Sequence, residues 1–212
     1  TVEKALFGAE TERRYQTKSI IAASEDGFFL VTHSADTPFA FSKNPRSLVS
    51  VELEVSLDGR RFQVPQVGFL GVDPRLLFIP LPERFVRESG LETFQLANQP
   101  ERWEEAVLVK NDESNFGSAG FRRLTSSPRF LKVERPALGQ LFADFAASRG
   151  DLAFSKNSRF IGLMTDTSHA AVIDGFLAAG IVDLGPRFNP EAAIRTLDRL
   201  ENRLGSLPRD VR

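Results

Sequence analysis

Ser50-Val51-Glu52-Leu53-Glu54-Val55-Ser56-Leu57-Asp58-Gly59-Arg60-Arg61-Phe62-Gln63-Val64 is the stretch whose reading sets the fold class. Apolar side chains fall at every second position from Val51 to Leu57, the period of a strand with one buried face. Asp58-Gly59 is a strong two-residue hairpin pair, and Arg61-Phe62-Gln63-Val64 resumes the alternation on the return. Pro65 predicts that the second strand ends there or lies at an edge, since proline has no N–H for a ladder.

Working outward, the turn Glu25-Asp26-Gly27 precedes the apolar run Phe28 to Val31. Leu76 to Leu81 is short and apolar on both faces, as a buried barrel strand would be. Ala106 to Val109 and Arg159 to Met164 read as strands, with Gly120 to Leu124 and Phe130 to Val133 as weaker ones. Asn111 to Gly117 is a loop by composition, Ala97 to Trp103 a connection, and Pro82 to Ser89 a short helix or loop. Pro136 can start a helical turn anchored by Leu138, Leu141, Phe142 and Phe145. The clearest helix is the last: Asn189 caps it, Pro190 takes its first position, and Ile194, Leu197, Leu200 and Leu204 form one stripe before Gly205. Many short strands and one terminal helix, without βαβ alternation or repeats, predict an all-β barrel or sandwich.

Composition narrows the function classes. The chain has 212 residues, and its 27 basic and 28 acidic side chains nearly cancel, so no broad nucleic-acid surface is expected. Arg60-Arg61 and Arg122-Arg123 read as solvated faces. With no cysteine there is no disulfide frame, zinc-thiolate site or thiol nucleophile. No run approaches the ~18 apolar residues of a membrane span, so no membrane insertion of this segment is expected. No signal-peptide pattern is visible, and the start at Thr1 is what a trimmed product would show. There are 19 Phe against one Trp and one Tyr, so the interior relies on rings without a polar handle.

Three segments, in order, resemble the trypsin-like peptidases of the bacterial HtrA/Deg type. Gly27 to Ser34 is similar to the strand and turn that end in that family's catalytic histidine. Leu57-Asp58-Gly59-Arg60-Arg61-Phe62, Val67-Gly68 and Val72-Asp73-Pro74-Arg75 resemble the run before its catalytic aspartate. Arg149 to Phe154, followed by Asn157 to Gly162, resembles its nucleophile loop and the next hairpin. The resemblance implies a trypsin-like fold of two six-stranded antiparallel β-barrels with a C-terminal helix. It divides the chain into an arm (1–16), a first barrel (17–98), a second barrel (99–188) and a helix (189–205). It slightly favours a periplasmic or other extracytoplasmic setting. The tail from Ala170 to Arg187 has no counterpart in it.

The family's chemistry needs a hydroxyl nucleophile, an imidazole base, an orienting carboxylate and backbone N–H groups for the oxyanion. Matched to Gly150-Asp151, the nucleophile position holds Leu152, followed by Ala153 and Phe154 where glycines should be. Counted back from Ile161-Gly162, it holds Arg149. The ungapped match puts Leu77 at the aspartate and Ser34 at the base, with His33 one residue early. That displacement would turn the ring to the other face unless a bulge restores it. A rearranged triad of His33, Asp73 and Ser148 remains the alternative, although Ala143 to Ser148 reads as helix. Asp166 and His169 form either a polar turn or a weak cation site, and Asp112 to Asn115 a solvated loop; no cofactor or metal is expected. The expected function is a degenerate, catalytically inactive trypsin-like domain that binds a protein or peptide. An active serine endopeptidase and a structural assembly subunit are the rivals, and the oligomeric state is open.

Overall fold

The computed structural model describes residues 1–4, 10–42, 47–97, 105–134 and 146–211. The connection read from Ala97 to Trp103, the 98/99 barrel boundary and the helical turn after Pro136 lie largely or wholly outside those residues. Within them are two six-stranded sheets and a C-terminal helix, the trypsin-like double-barrel class.

The N-terminal arm is not an appendage. β1 (Val2–Lys4) pairs with β2 (Glu10–Glu12) and, on its other side, with β5 (Leu48–Ser50). The first large sheet contains β3 (Ile21–Ser24), β4 (Gly27–His33), β8 (Gln66–Leu70), β9 (Leu76–Leu81), β10 (Thr93–Gln95) and β17 (Ala178–Asp183), in the order β10-β3-β4-β9-β8-β17. It departs from a fully antiparallel closed barrel in two ways: β10 runs parallel to β3, and the sheet is open. A short helix α1 (Glu83–Ser89) links β9 to β10.

The stretch that set the fold class is a hairpin, β6 (Glu54–Leu57) and β7 (Arg60–Gln63). Asp58 and Gly59 make its turn with φ of 46° and 75°, and β7 stops before Pro65. The run read as one strand from Ser50 to Leu57 is split, because its backbone serves two partners. Val51 O accepts from Gly185 N at 2.8 Å, while Leu53 O accepts from Val64 N at 2.9 Å.

The second sheet closes on itself as β11-β12-β13-β16-β15-β14. Its strands are β11 (Glu105–Val109), β12 (Phe116–Arg123), β13 (Phe130–Val133), β14 (Leu152–Phe154), β15 (Phe160–Met164) and β16 (His169–Val172). β12 starts at Phe116, so the loop expected to run to Gly117 is shorter. The unplaced tail resolves into β16, which completes the barrel, and β17, which leaves it. The expectation that the second barrel runs to 188 is therefore corrected: β17 pairs with β8 of the first sheet. The physical reason is a deficit on that edge of the open sheet, where β8 has no other strand partner among the described residues.

The helix α2 (Pro190–Gly205) follows β17 back onto the first sheet. Asn189 caps it by accepting from Ala192 N at 2.9 Å, and Gly205 is its last residue, not its cap. Ala193, Leu197 and Leu200 join Leu30, Phe69, Leu77 and Ile79 in one core. A second cluster spans the two sheets: Phe29, Val31, Leu76 and Phe78 from the first meet Phe130, Leu152, Phe154 and Phe160 from the second. No helix among the described residues is long and apolar enough to cross a membrane.

Gly162 is a point of close approach in the second barrel. A Cβ there would lie 1.8 Å from the Ala171 carbonyl oxygen, which is backbone and cannot swing aside. Gly162→Ala should cost roughly 2–3 kcal/mol or more by overpacking, lowering the thermal midpoint by about 5–10 °C. Gly205→Ala, with open space around its Cβ, should leave the midpoint nearly unchanged. Calorimetry on both variants checks the contrast.

Candidate functional site

The face that each residue of β4 presents decides what the site contains. Side chains alternate along a strand, and Phe29 and Val31 belong to the cluster between the sheets, whereas Leu30 belongs to the first core. His33 follows Phe29 and Val31 on the inter-sheet face, so the ring expected to be turned away points toward the second barrel. Its Cβ lies 3.7 Å from the position a Cβ on Gly150 would take. Ser34 begins a 3-10 turn and is buried, its N–H bonded to Arg75 O at 2.7 Å. Leu77 packs into the first core, away from His33.

The second barrel settles which segment faces the histidine. Leu152, Ala153 and Phe154 are buried in β14, hydrogen-bonded between β11 and β15. They are wall, not loop, and the register that placed the nucleophile loop there is corrected. The turn against His33 is Ser148 to Asp151, closed by Asp151 N donating to Ser148 O at 3.1 Å. Gly150 has φ 85° in this turn, a conformation other residues rarely adopt. The side chain at its head is Arg149.

Each member of the rearranged triad is bonded elsewhere. Both Asp73 oxygens accept from Arg75 Nε at 3.0 Å, Oδ2 also accepts from Nη2 at 2.6 Å, and Oδ1 from the Arg75 N–H at 2.9 Å. Arg75 further donates to the Val211 carbonyl, tying the C-terminal end to the site. Ser148 Oγ accepts from Lys110 Nζ at 2.8 Å, and that ammonium also donates to Ala146 O and, at 3.0 Å, to Asp151 Oδ2. Lys110 thus ties Ser148 to Asp151 and to the Ala146 backbone. His33 Nδ1 accepts from Ala35 N at 3.1 Å.

That last bond fixes the tautomer. A neutral ring whose Nδ1 accepts must carry its proton on Nε2. A triad histidine needs the reverse: Nδ1–H on a carboxylate and a lone pair on Nε2 facing the nucleophile. Here Nε2 is buried with no hydrogen-bond partner among the described residues. Burial first, then the Arg149 and Arg75 charges, push the imidazole down to about 3 from its ordinary 6.5. The Thr165 carbonyl opposes that weakly but makes no bond of good geometry with Nε2.

Lys110 and Arg75, which organise this region, were not singled out from the sequence. The available signal for Arg75 was its place two residues after Asp73; that Asp73 and Asp151 are almost fully buried, and so each need a cation, is visible only in the structure. The Asp166–His169 pair is a closed turn: Oδ1 accepts from the Ser168 and His169 N–H groups, and Oδ2 lies 3.0 Å from His169 Nδ1. Among the described residues no three His, Asp or Glu side chains gather as a metal site.

A second concavity lies between the sheets. It is a cleft of about 590 Å³, walled by Ile20, Phe94, Val107, Leu152 and Phe154, with Leu91 at its mouth. None of His33, Asp73, Ser148 or Arg149 lines it.

No family model matches the chain, and no curated protein does. Among solved structures it is similar to the serine protease of a human pathogenic astrovirus, at 14% identity over 76% of this chain and 96% of that one, with a TM-score of 0.40. A catalytically inactive tobacco etch virus protease complexed with substrate is 15% identical over 81% and 75%, with a TM-score of 0.37. Deg5 is 13% identical over 76% of each chain, with a TM-score of 0.39. The fold assignment rests on the strand order described above.

The lowered His33 pKa has a signed consequence. The unfolded chain takes up a proton near pH 6.5 and the folded chain only near 3, so stability falls as pH drops through that window. His33→Asn keeps an acceptor for Ala35 N without a titrating group. Between pH 7 and 4.5 the parent should lose about 2–3 kcal/mol more than the variant, read by urea unfolding at both pH values.

Proposed function

We propose that this chain is a catalytically inactive trypsin-like domain whose role is to bind a protein or peptide. The observation that carries the reading is the Ala35 N–H on His33 Nδ1, because it gives the ring the tautomer opposite to that of a general base. The head of the facing turn supports it: Arg149 stands there, and a guanidinium cannot attack a carbonyl. The nearby hydroxyl, Ser148, accepts from an ammonium, which favours its role as a structural acceptor. A barrel pair freed from hydrolysis retains strand edges and a cleft, the features by which such folds hold an extended chain. The sequence resemblance to the HtrA/Deg type is in keeping with an extracytoplasmic setting.

The rival, an active peptidase that assembles His33, Asp73 and Ser148 on binding substrate, makes the opposite prediction at one experiment. Incubation with a fluorophosphonate probe and with casein should give neither a covalent adduct nor fragments. Labelling that disappears in Ser148→Ala would overturn the reading.

A further inference from the structure

The cleft between the sheets has features that the site around His33 does not absorb. Its floor and walls are apolar, and at about 590 Å³ it falls in the size range of pockets that bury a ligand's side groups. Leu91 stands 44% exposed at the mouth. The rim is acidic: Glu92 and Glu113 line it and have no ion-pair partner among the described residues. Lys156, also on the rim, is neutralised by Glu105, and the neighbouring Lys18 is engaged with the Asp112 carbonyl.

One side of the cleft is a strand with an open edge. Within its own span β10 pairs with β3 alone among the described residues, and just beyond it Leu96 forms a parallel bridge to Phe160 of β15. Leu96 N donates to Ala23 O at 3.2 Å, so Phe94 and Leu96 turn their backbone groups to β3. By the alternation of a parallel ladder, Thr93 and Gln95 turn theirs outward. Ala97, next in that outward set, donates to Phe160 O of the second barrel at 2.8 Å, which confirms the direction. The parallel bridge between Leu96 and Phe160 closes that edge after Gln95 and takes up its carbonyl, which leaves the Thr93 N–H and C=O and the Gln95 N–H facing outward, on the strand whose Phe94 lines the apolar cavity with its acidic rim.

We propose that this cleft holds an extended peptide segment with an apolar anchor residue flanked by Lys or Arg, hydrogen-bonded as a short added strand to Thr93 and Gln95. The apolar walls take the anchor, Glu92 and Glu113 pair with the flanking cations, and the β10 edge reads the backbone. This rests on the reading of the domain as a binding module and assigns that module its site and ligand class.

The test is fluorescence anisotropy with a fluorescein-labelled Lys-Val-Phe-Val-Lys peptide, acetylated and amidated, against its Glu-Val-Phe-Val-Glu counterpart. The basic peptide should bind saturably and at least about tenfold more tightly, with the difference shrinking at high salt. Leu91→Glu should weaken it about tenfold. Gln95→Pro, which removes one outward N–H at an edge where proline is tolerated, should weaken it about fivefold. In the parent protein, peptide should shift the Thr93 and Gln95 amide resonances. Absence of saturable binding, equal affinity for both peptides, or amide shifts confined to residues outside the cleft would each overturn the proposal. Fluorophosphonate labelling reports separately on His33 and Ser148. An unlabelled protein that ignores the peptide removes the cleft assignment alone, whereas a labelled one removes the inactive-domain reading whatever the peptide does.

Discussion

The apolar seam between the two sheets is the constraint from which the rest of the molecule takes its geometry. Phe29 and Phe176 stack with ring centroids 3.9 Å apart, Phe78 packs against both, and Phe154 lies between Phe94 and Phe160. These rings carry no hydroxyl or N–H that would need a partner, so they can be buried between sheets without a polar cost. The seam holds β4 and β14 at a fixed separation. It thereby decides that His33 meets the Ser148–Asp151 turn, and that a cleft remains on the flank where β10 runs out.

Two ion pairs complete the frame around the histidine. Asp73 with Arg75 and Asp151 with Lys110 each combine a nearly inaccessible carboxylate with a cation that reaches further structural acceptors. Breaking such a pair strands a buried charge and costs far more than the pair itself contributes. Both carboxylates also accept from backbone N–H groups, Asp73 from Arg75 and Asp151 from Ser148. The ring, enclosed beside two guanidinium groups, is held neutral. Its one firm bond, accepted from Ala35 N, makes it a cap for the turn that starts at Ser34.

The hairpin at Asp58-Gly59, the strands Phe28 to Val31 and Leu76 to Leu81, and the capped helix from Pro190 were legible in the sequence because local rules govern them. Period-two alternation, a turn pair with positive φ and an N-cap are settled within a few residues. β17 was not legible: Ala178 to Asp183 has little pattern of its own and becomes a strand because β8 offers it an edge. The register of the third matched segment was likewise undecided between Leu152 and Arg149.

Sequence by itself determined the Asp58-Gly59 hairpin, the apolar strands at Phe28 to Val31 and Leu76 to Leu81, the capped terminal helix and the chemical groups available to the chain. Only the tertiary structure decided that Leu152 to Phe154 are barrel wall, that His33 faces the seam, and that its Nδ1 is an acceptor. It alone joined Lys110 to Ser148, 38 residues apart, and Arg75 to Val211, 136 apart. Such outcomes depend on which surfaces meet, and close packing fixes a side chain's partners through neighbours that are distant along the chain.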